Sequence, residues 1–141
     1  MVTNRRQEYI SPEEYLEGEK ISEIKHEYID GEVYAMAGAS DPHTTIALNL
    51  ATMLRINLRG SGCRVFMSDM KAQVYKRSRY YYPDVMVTCD ARDKDSEYSK
   101  SHYCLIIEVL SDGTEAKDRG TKFKDYRRSS SLQEYVLVSQ D

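Results

Sequence analysis

The 141-residue chain has an ordinary composition for a folded protein, with 30% charged residues, 40% hydrophobic residues and a formal net charge of −3. This length predicts a single domain over residues 1–141, and the composition excludes disordered and fibrous classes. Because the chain as a whole is not basic, any contact with nucleic acid has to come from a local patch. No apolar run approaches the roughly 20 residues of a membrane helix, so we expect a cytoplasmic protein with no membrane partner.

The first predicted elements are a short helix and a hairpin. Ser11, Pro12 and Glu14 form a capping box, which indicates the start of a helix. The segment "HEYIDGEVYAMAG" then places two β-rich pieces on either side of Asp30 and Gly31. This dipeptide readily adopts the positive φ angles that a two-residue turn requires. The segment therefore predicts a β-hairpin with a tight turn.

A longer helix and several strands are predicted in the middle of the chain. Asp41 and Pro42 begin the helix and Gly60 ends it. Its apolar residues at helical spacing are Ile46, Leu50, Met53, Leu54 and Leu58. Four strand candidates follow: "CRVFMS", "KAQVY", "PDVMVTCD" and "YCLIIEVL". In the last candidate, apolar residues occupy both alternating sets of positions, as in a central strand that is covered on both faces.

The C-terminal part predicts a charged helix and a final strand. The segment "TEAKDRGTKFKDYRR" is rich in helix formers, with Phe123 and Tyr126 as a thin apolar stripe, although Gly120 is unfavourable by about 1 kcal/mol in a helix interior. The segment "EYVLV" follows as a strand. This order of elements favours an α/β (α+β) domain, with a mixed central sheet flanked by helices.

Three cysteines, Cys63, Cys89 and Cys104, lie far apart in apolar, strand-like segments. Their odd number and the lack of C-x-x-C pairs favour small, reduced core residues in a reducing compartment. A zinc site would need a fourth ligand and paired spacing, so that alternative is disfavoured.

Two carboxylates interrupt the predicted strands: Asp84 begins one strand and Glu108 lies near the end of another. An ionised Glu108 buried on both faces would need a cation, a metal ion or water. Taken singly, each acid is more often structural; together, acids on neighbouring strands favour a Mg²⁺ site. Downstream, Asp118 and Lys122 have the spacing of an ion pair within a helix, but a helix after the Glu108 strand can also direct Lys122 toward the acids.

Four segments occur in an order that carries a family resemblance: "EYIDGEVYAMAGASDPH", "PD" at 83–84, "IIEVLS" at 106–111 and "DRGTKFKDY" at 118–126. Together they resemble the Uma-type restriction-endonuclease family, a branch of the PD-(D/E)XK nuclease superfamily. The resemblance implies a restriction-endonuclease-like αβββαβ core and metal-dependent hydrolysis of DNA by an endonuclease.

The resemblance also implies roles for individual residues. Asp84 matches the Asp of "PD", Glu108 matches the acid of the (D/E)XK strand, and Lys122 matches a lysine moved to the following helix. The implied ligands of Mg²⁺, or of Mn²⁺ as a substitute, are Asp84, Glu108 and the backbone carbonyl of Val109. Lys122 would orient the attacking water or stabilise the transition state. Glu27 matches an N-terminal acid of the site, although a solvated strand residue is an equal alternative.

Two features depart from the family pattern. The superfamily expects a lysine two residues after the acid, where this chain has Leu110, so catalysis depends on Lys122 reaching the site. The chain is also expected to be C-terminally short relative to the family, by an edge strand or a dimer surface. Because a small domain covers little DNA, a homodimer is an open expectation.

Other residues leave alternatives open. The charged helix carries six basic residues, Lys117, Arg119, Lys122, Lys124, Arg127 and Arg128. Such a helix is more often a solvated face, but beside a metal site it can contact phosphates. The tyrosines 80–82 are better explained by packing than by base stacking, and His43 is a weaker candidate for a general base. The alternative function is a catalytically inactive nucleic-acid- or protein-binding module on a nuclease fold.

Overall fold

The computed structural model describes residues 8–141. Its mixed α+β architecture confirms the predicted fold class, and its strands divide between two mixed sheets, which the sequence pattern did not predict. The helices are α1 (Pro12–Ile21), α2 (Asp41–Asn57), α3 (Glu115–Arg119) and α4 (Thr121–Tyr126), with a short 3-10 helix at Ala91–Asp95. The strands are β1 (His26–Ile29), β2 (Glu32–Ala35), β3 (Arg64–Met67), β4 (Lys71–Val74), β5 (Arg79–Tyr81), β6 (Val85–Thr88), β7 (Ser99–Lys100), β8 (Leu105–Val109) and β9 (Glu134–Val138). Within residues 8–141, no helix has the length and apolar character needed to cross a membrane.

The four-stranded sheet contains the αβββαβ core, in the strand order β3-β6-β8-β9. Strands β3, β6 and β8 are antiparallel neighbours, whereas β8 and β9 are parallel. A parallel pair needs a crossover connection, and α3 and α4 supply it. On one face of this sheet, Ala47 and Ala51 of α2 pack against Val85, Ile107 and Val109.

The five-stranded sheet has the order β2-β1-β5-β4-β7 and includes the predicted hairpin. Ile29 pairs with Glu32 across a two-residue turn, in which Asp30 and Gly31 have φ values of 46° and 90°. A Cβ atom on Gly31 would lie 2.1 Å from a ring carbon of Tyr9. Both the backbone conformation and the close ring therefore require glycine at this turn.

The buried side chains shared by the two sheets are rich in tyrosine. Three tyrosines pack with Met86 and Ile106 of the four-stranded sheet: Tyr81 of β5, Tyr103 just before β8, and Tyr126 of α4. The ring centroids of Tyr81 and Tyr126 are 5.6 Å apart. Residues 80–82 are all buried, which agrees with packing rather than base stacking.

Helix ends agree with the predicted capping at α1 and differ at α2 and in the charged helix. The Ser11 hydroxyl accepts a hydrogen bond from the Glu14 N–H at 3.1 Å, as predicted. The N-cap of α2 is Ser40 rather than Asp41, because Ser40 accepts from the His43 N–H. The predicted charged helix is two short helices separated at Gly120, whose ψ of −96° lies outside the helical range.

The prediction of three reduced core cysteines is wrong for two of them, because Cys63 and Cys89 form a disulfide. Arg64 of β3 pairs with Thr88 of β6, and the next pair outward is Cys63 with Cys89. Residues opposite each other in an antiparallel ladder are close enough to be bridged. Cys104 is free and half-buried, with its sulfur 3.9 Å from that of Cys89.

We expect one titratable thiol, that of Cys104, in protein purified and denatured without a reductant. Replacing both Cys63 and Cys89 by Ser should lower the free energy of unfolding by about 3 kcal/mol, because the bridge spans 26 residues of chain and restricts the unfolded state. Thiol titration and denaturant unfolding measure the two effects. Cys104→Ser is the matched control, which removes the free thiol and keeps the bridge. A count of three thiols in the unreduced protein would contradict the assignment.

Candidate active site

The sheet register brings Asp84 and Glu108 together. In the β6–β8 ladder Val85 pairs with Ile107, so one step further along Asp84 lies opposite Glu108. Side chains opposite each other in an antiparallel pair point to the same face. Met86 and Ile106 each lie two residues from one of these acids, on the same face of the sheet, and they pack into the tyrosine-rich core. Both acids therefore lie on the sheet face that α4 covers.

Asp84 is oriented by the backbone of β8 and by α2. Its Oδ2 atom accepts a hydrogen bond of 2.7 Å from the Val109 N–H and lies 3.2 Å from His43 Nε2. In an extended strand the carbonyl of a residue lies on the same edge as its N–H, so the Val109 carbonyl also faces the Asp84 side. The His43 imidazole is thus a neighbour of the site rather than a remote cap.

Lys122 extends from α4 into a group of three buried acids. Its Nζ atom lies 3.4 Å from Glu27 Oε1, 3.5 Å from Asp118 Oδ1 and 3.7 Å from Glu108 Oε2. The lysine side chain is 4% exposed. Burial opposes its charge, but the carboxylates of Glu108, Glu27 and Asp118 outweigh that effect and raise the pKa of Lys122, which keeps it protonated.

Leu110, two residues after Glu108, where the resemblance implied a lysine, is buried. Because side chains alternate along β8, residue 110 continues the face to which Glu108 belongs. The side chain at this position is apolar, and the cation near Glu108 comes from α4 instead. The tertiary structure therefore brings Lys122 to the acid that it was expected to reach.

The carboxylate of Glu108 is buried with little hydrogen bonding. Within residues 8–141, its Oε1 atom has no hydrogen-bond partner, and its Oε2 atom lies 3.7 Å from the Lys122 ammonium. Burial raises the pKa of Glu108 well above the ordinary value of 4.5; Lys122 opposes this rise, whereas the charges of Asp84, Asp118 and Glu27 add to it. Such a carboxyl group favours either a proton or a further cation.

Two residues of the cluster were not among the predicted site residues. Asp118 is almost fully buried, and its position four residues before Lys122 is a signal for an ion pair in the sequence. Lys117 donates a hydrogen bond of 2.6 Å to Glu27 Oε2 across 90 residues of chain. No local pattern signals that contact, because it depends on how α3 meets the β1–β2 hairpin.

The remaining basic residues of the charged segment turn outward. Arg119, Lys124, Arg127 and Arg128 are exposed, and Arg119 pairs with Glu115 at 2.9 Å. The charged segment therefore has two different sides. Its inner side carries the lysines that contact Glu27, and its outer side is a solvated basic face.

The donor set fits a partly hydrated divalent cation. Within residues 8–141, no three His, Cys, Asp or Glu side chains form a group able to hold a metal ion. Glu27 and Asp118 are paired with lysines, although Asp118 Oδ1, like Glu108 Oε1, makes no hydrogen bond within residues 8–141. Asp84, Glu108 and the Val109 carbonyl are the remaining oxygen donors. Mg²⁺ commonly takes one or two carboxylates and keeps several waters. The residues present are thus compatible with Mg²⁺ and not with a closed protein cage.

Known proteins similar in sequence include two from Synechocystis sp. The uncharacterized protein slr1290 is 47% identical over 130 residues, which are 92% of this chain and 68% of that protein. The uncharacterized protein sll1609 is 36% identical over 129 residues, which are 90% of this chain and 73% of that protein. Residues 12–141 match the family described as "Uma2: Putative restriction endonuclease".

A solved structure shares the fold. The crystal structure described as "a putative nuclease belonging to DUF820" from Anabaena variabilis superposes with a TM-score of 0.72 at 18% identity. The match covers 92% of this chain and 74% of that chain. The family match extends over most of the chain, and it agrees with the order of motifs in the sequence. The chain belongs to the Uma2 family of restriction-endonuclease-like proteins.

Proposed function

We propose that the protein is a metal-dependent DNA endonuclease, which hydrolyses phosphodiester bonds. The observation that carries the proposal is the buried Glu108 carboxylate beside Asp84, with one oxygen lacking a hydrogen-bond partner within residues 8–141. A buried, unpartnered carboxylate is costly unless a cation or a proton completes it. The family description and the nuclease of the same fold support a nucleic acid as the substrate.

The charges of the cluster also support a divalent cation. When ionised, Glu27, Asp84, Glu108 and Asp118 carry four negative charges, and two lysines contribute two positive charges. Two negative charges are left in a largely buried site. A cation of charge +2 would neutralise them, whereas a monovalent ion would not.

Asp84, Glu108 and the Val109 carbonyl are the proposed holders of Mg²⁺, with Mn²⁺ as a substitute. The ion supplies Lewis-acid chemistry at the scissile phosphate when it is bound. The Val109 N–H holds the Asp84 carboxylate in a fixed orientation. Lys122 keeps the acids close together and adds positive charge near the reaction.

The second candidate is a catalytically inactive nucleic-acid- or protein-binding module. It is favoured by the position of Lys122, which pairs with Glu27, Glu108 and Asp118. Ion pairing leaves the Glu108 Oε1 atom unexplained, and that atom favours the enzyme. DNA is the proposed partner of the enzyme, a homodimer is the proposed assembly, and the cytoplasm is the proposed location.

The wild-type protein should nick or cut DNA in Mn²⁺ or Mg²⁺ and should leave it intact in EDTA. Asp84→Asn and Glu108→Gln should each lower the cleavage rate by about 100-fold or more, because each removes a proposed ligand. Gel assays on supercoiled, linear and single-stranded DNA measure the rates. Glu115→Gln is the control, since this acid pairs with Arg119 away from the cluster. Absence of metal-dependent cleavage on all three DNA forms would favour the binding module, and equal rates in all variants would indicate a contaminating nuclease.

Titration with Mn²⁺ or Mg²⁺ should raise the melting temperature to a plateau. A ligand that binds only the folded state stabilises it by about 2.7 kcal/mol at a concentration 100 times its dissociation constant. Asp84→Asn should abolish this shift, whereas Glu115→Gln should retain it. A shift that persists in Asp84→Asn would mean that the cation binds elsewhere.

Glu108→Gln should raise the melting temperature of the metal-free protein at pH 8. The raised pKa means that the fold favours the protonated form of Glu108, so the stability contributed by this group falls as pH rises above 4.5 toward the folded-state value. Gln resembles the protonated form, and the difference between variant and wild type should shrink as the pH falls to 4.5. Thermal melts in EDTA across this range measure the effect. A lower melting temperature for Glu108→Gln at pH 8 would show that Glu108 acts mainly as an ion-pair partner of Lys122.

A further inference from the structure

Two lysines share the Glu27 carboxylate, and they differ in access to solvent. Lys117 Nζ lies 2.6 Å from Glu27 Oε2, and Lys122 Nζ lies 3.4 Å from Oε1. The Lys117 side chain is 35% exposed, whereas that of Lys122 is 4% exposed. We infer that Lys117 is the residue that contacts the scissile phosphate, while Lys122 balances the charge of the buried acids. This inference rests on the proposed endonuclease function.

Lys122 is held away from any phosphate that approaches from solvent. Its ammonium group lies within 3.7 Å of Glu108 and within 3.5 Å of Asp118, and both acids are buried. Movement of the ammonium toward solvent would leave both carboxylates without their cation. Removing one partner from a buried ion pair is strongly destabilising. The buried lysine is therefore fixed in its position by the acids that it neutralises.

Lys117 lies at the rim of the site, where the β1–β2 hairpin meets α3. Its Nζ atom is 5.8 Å from the ring centroids of both Tyr34 and Tyr81. Tyr34 is paired directly with Glu27 across the hairpin and is 44% exposed, whereas Tyr81 is buried. The ammonium is thus located between an exposed and a buried ring, next to an acid of the cluster. A phosphate that approaches along this rim meets Lys117 before it meets Lys122.

The ammonium of Lys117 can donate hydrogen bonds to Glu27 and to a phosphate at the same time. It has three N–H donors, and its hydrogen-bond partner within residues 8–141 is Glu27. The other donors are available for phosphate oxygens, on which negative charge grows in the transition state. Donors already positioned toward developing charge contribute strongly to catalysis. Lys117 acts here only as a hydrogen-bond donor to phosphate oxygens and takes no part in the proton transfers of hydrolysis.

The test compares Lys117→Met with Lys122→Met and with Lys124→Met, an exposed lysine of the same segment. Cleavage of one duplex oligonucleotide in Mn²⁺ gives kcat and KM, fluorescence anisotropy in EDTA gives DNA affinity, and thermal melts report the fold. Lys117→Met should lower kcat at saturating DNA by about 100-fold, and its melting temperature should fall less than that of Lys122→Met, because Glu27 keeps Lys122 at 3.4 Å. Lys117→Arg should retain more of the rate, because it keeps the charge. Lys122→Met should lower the melting temperature as well as the rate.

Three outcomes would overturn the inference. If Lys117→Met and Lys124→Met have equal kcat values while the wild type cuts DNA, Lys117 is one more surface charge and the proposed function stands. If the wild type binds DNA without cutting it, the proposed endonuclease function fails. The DNA affinities then test whether Lys117 contacts a phosphate. Lys117→Met must then weaken DNA binding more than Lys124→Met does; equal losses, or no binding by the wild type, reject the contact.

Discussion

The structure depends on the charge of Lys122, which is buried where the two sheets and α3 meet. Its ammonium contacts Glu27 from the five-stranded sheet, Glu108 from the four-stranded sheet and Asp118 from α3. Because these acids are also buried, loss of the lysine would leave Glu108 and Asp118 uncompensated, at a cost of several kcal/mol, while Glu27 would keep Lys117. One side chain therefore joins three parts of the fold and holds Glu27, Glu108 and Asp118 near one another.

The burial that strengthens the ion pairs of Lys122 also disfavours the ionised form of Glu108. Tyr81 and Tyr126 pack between the sheets beside the cluster, and a region of low polarity strengthens each attraction between opposite charges. It also withholds water from Glu108 and so raises its pKa. The carboxylate that is hardest to keep charged in the metal-free protein is thus the one that gains most from a bound cation. Stability and proposed chemistry compete at this residue.

A cation lies near Glu108 although its own strand supplies none. Leu110, directly after β8, is apolar, and α4 supplies Lys122. Gly120 separates α3 from α4, yet Asp118 and Lys122 remain 3.5 Å apart across the break. A charge interaction needs the right distance between groups and does not depend on the element that carries them. A lysine on α4 can therefore balance the charge of Glu108 as well as one on its own strand could.

The sequence by itself determined the local elements, the turn at Asp30 and Gly31, and the pairing of two acids on neighbouring strands, because capping, positive φ and apolar alternation act within a few residues. The order of motifs also identified the family and its αβββαβ core. Only the tertiary structure decided that the strands form two sheets, that Cys63 and Cys89 are bridged, and that Lys117 meets Glu27. Periodicity shows which face of an element is buried, but it does not show which distant element covers that face.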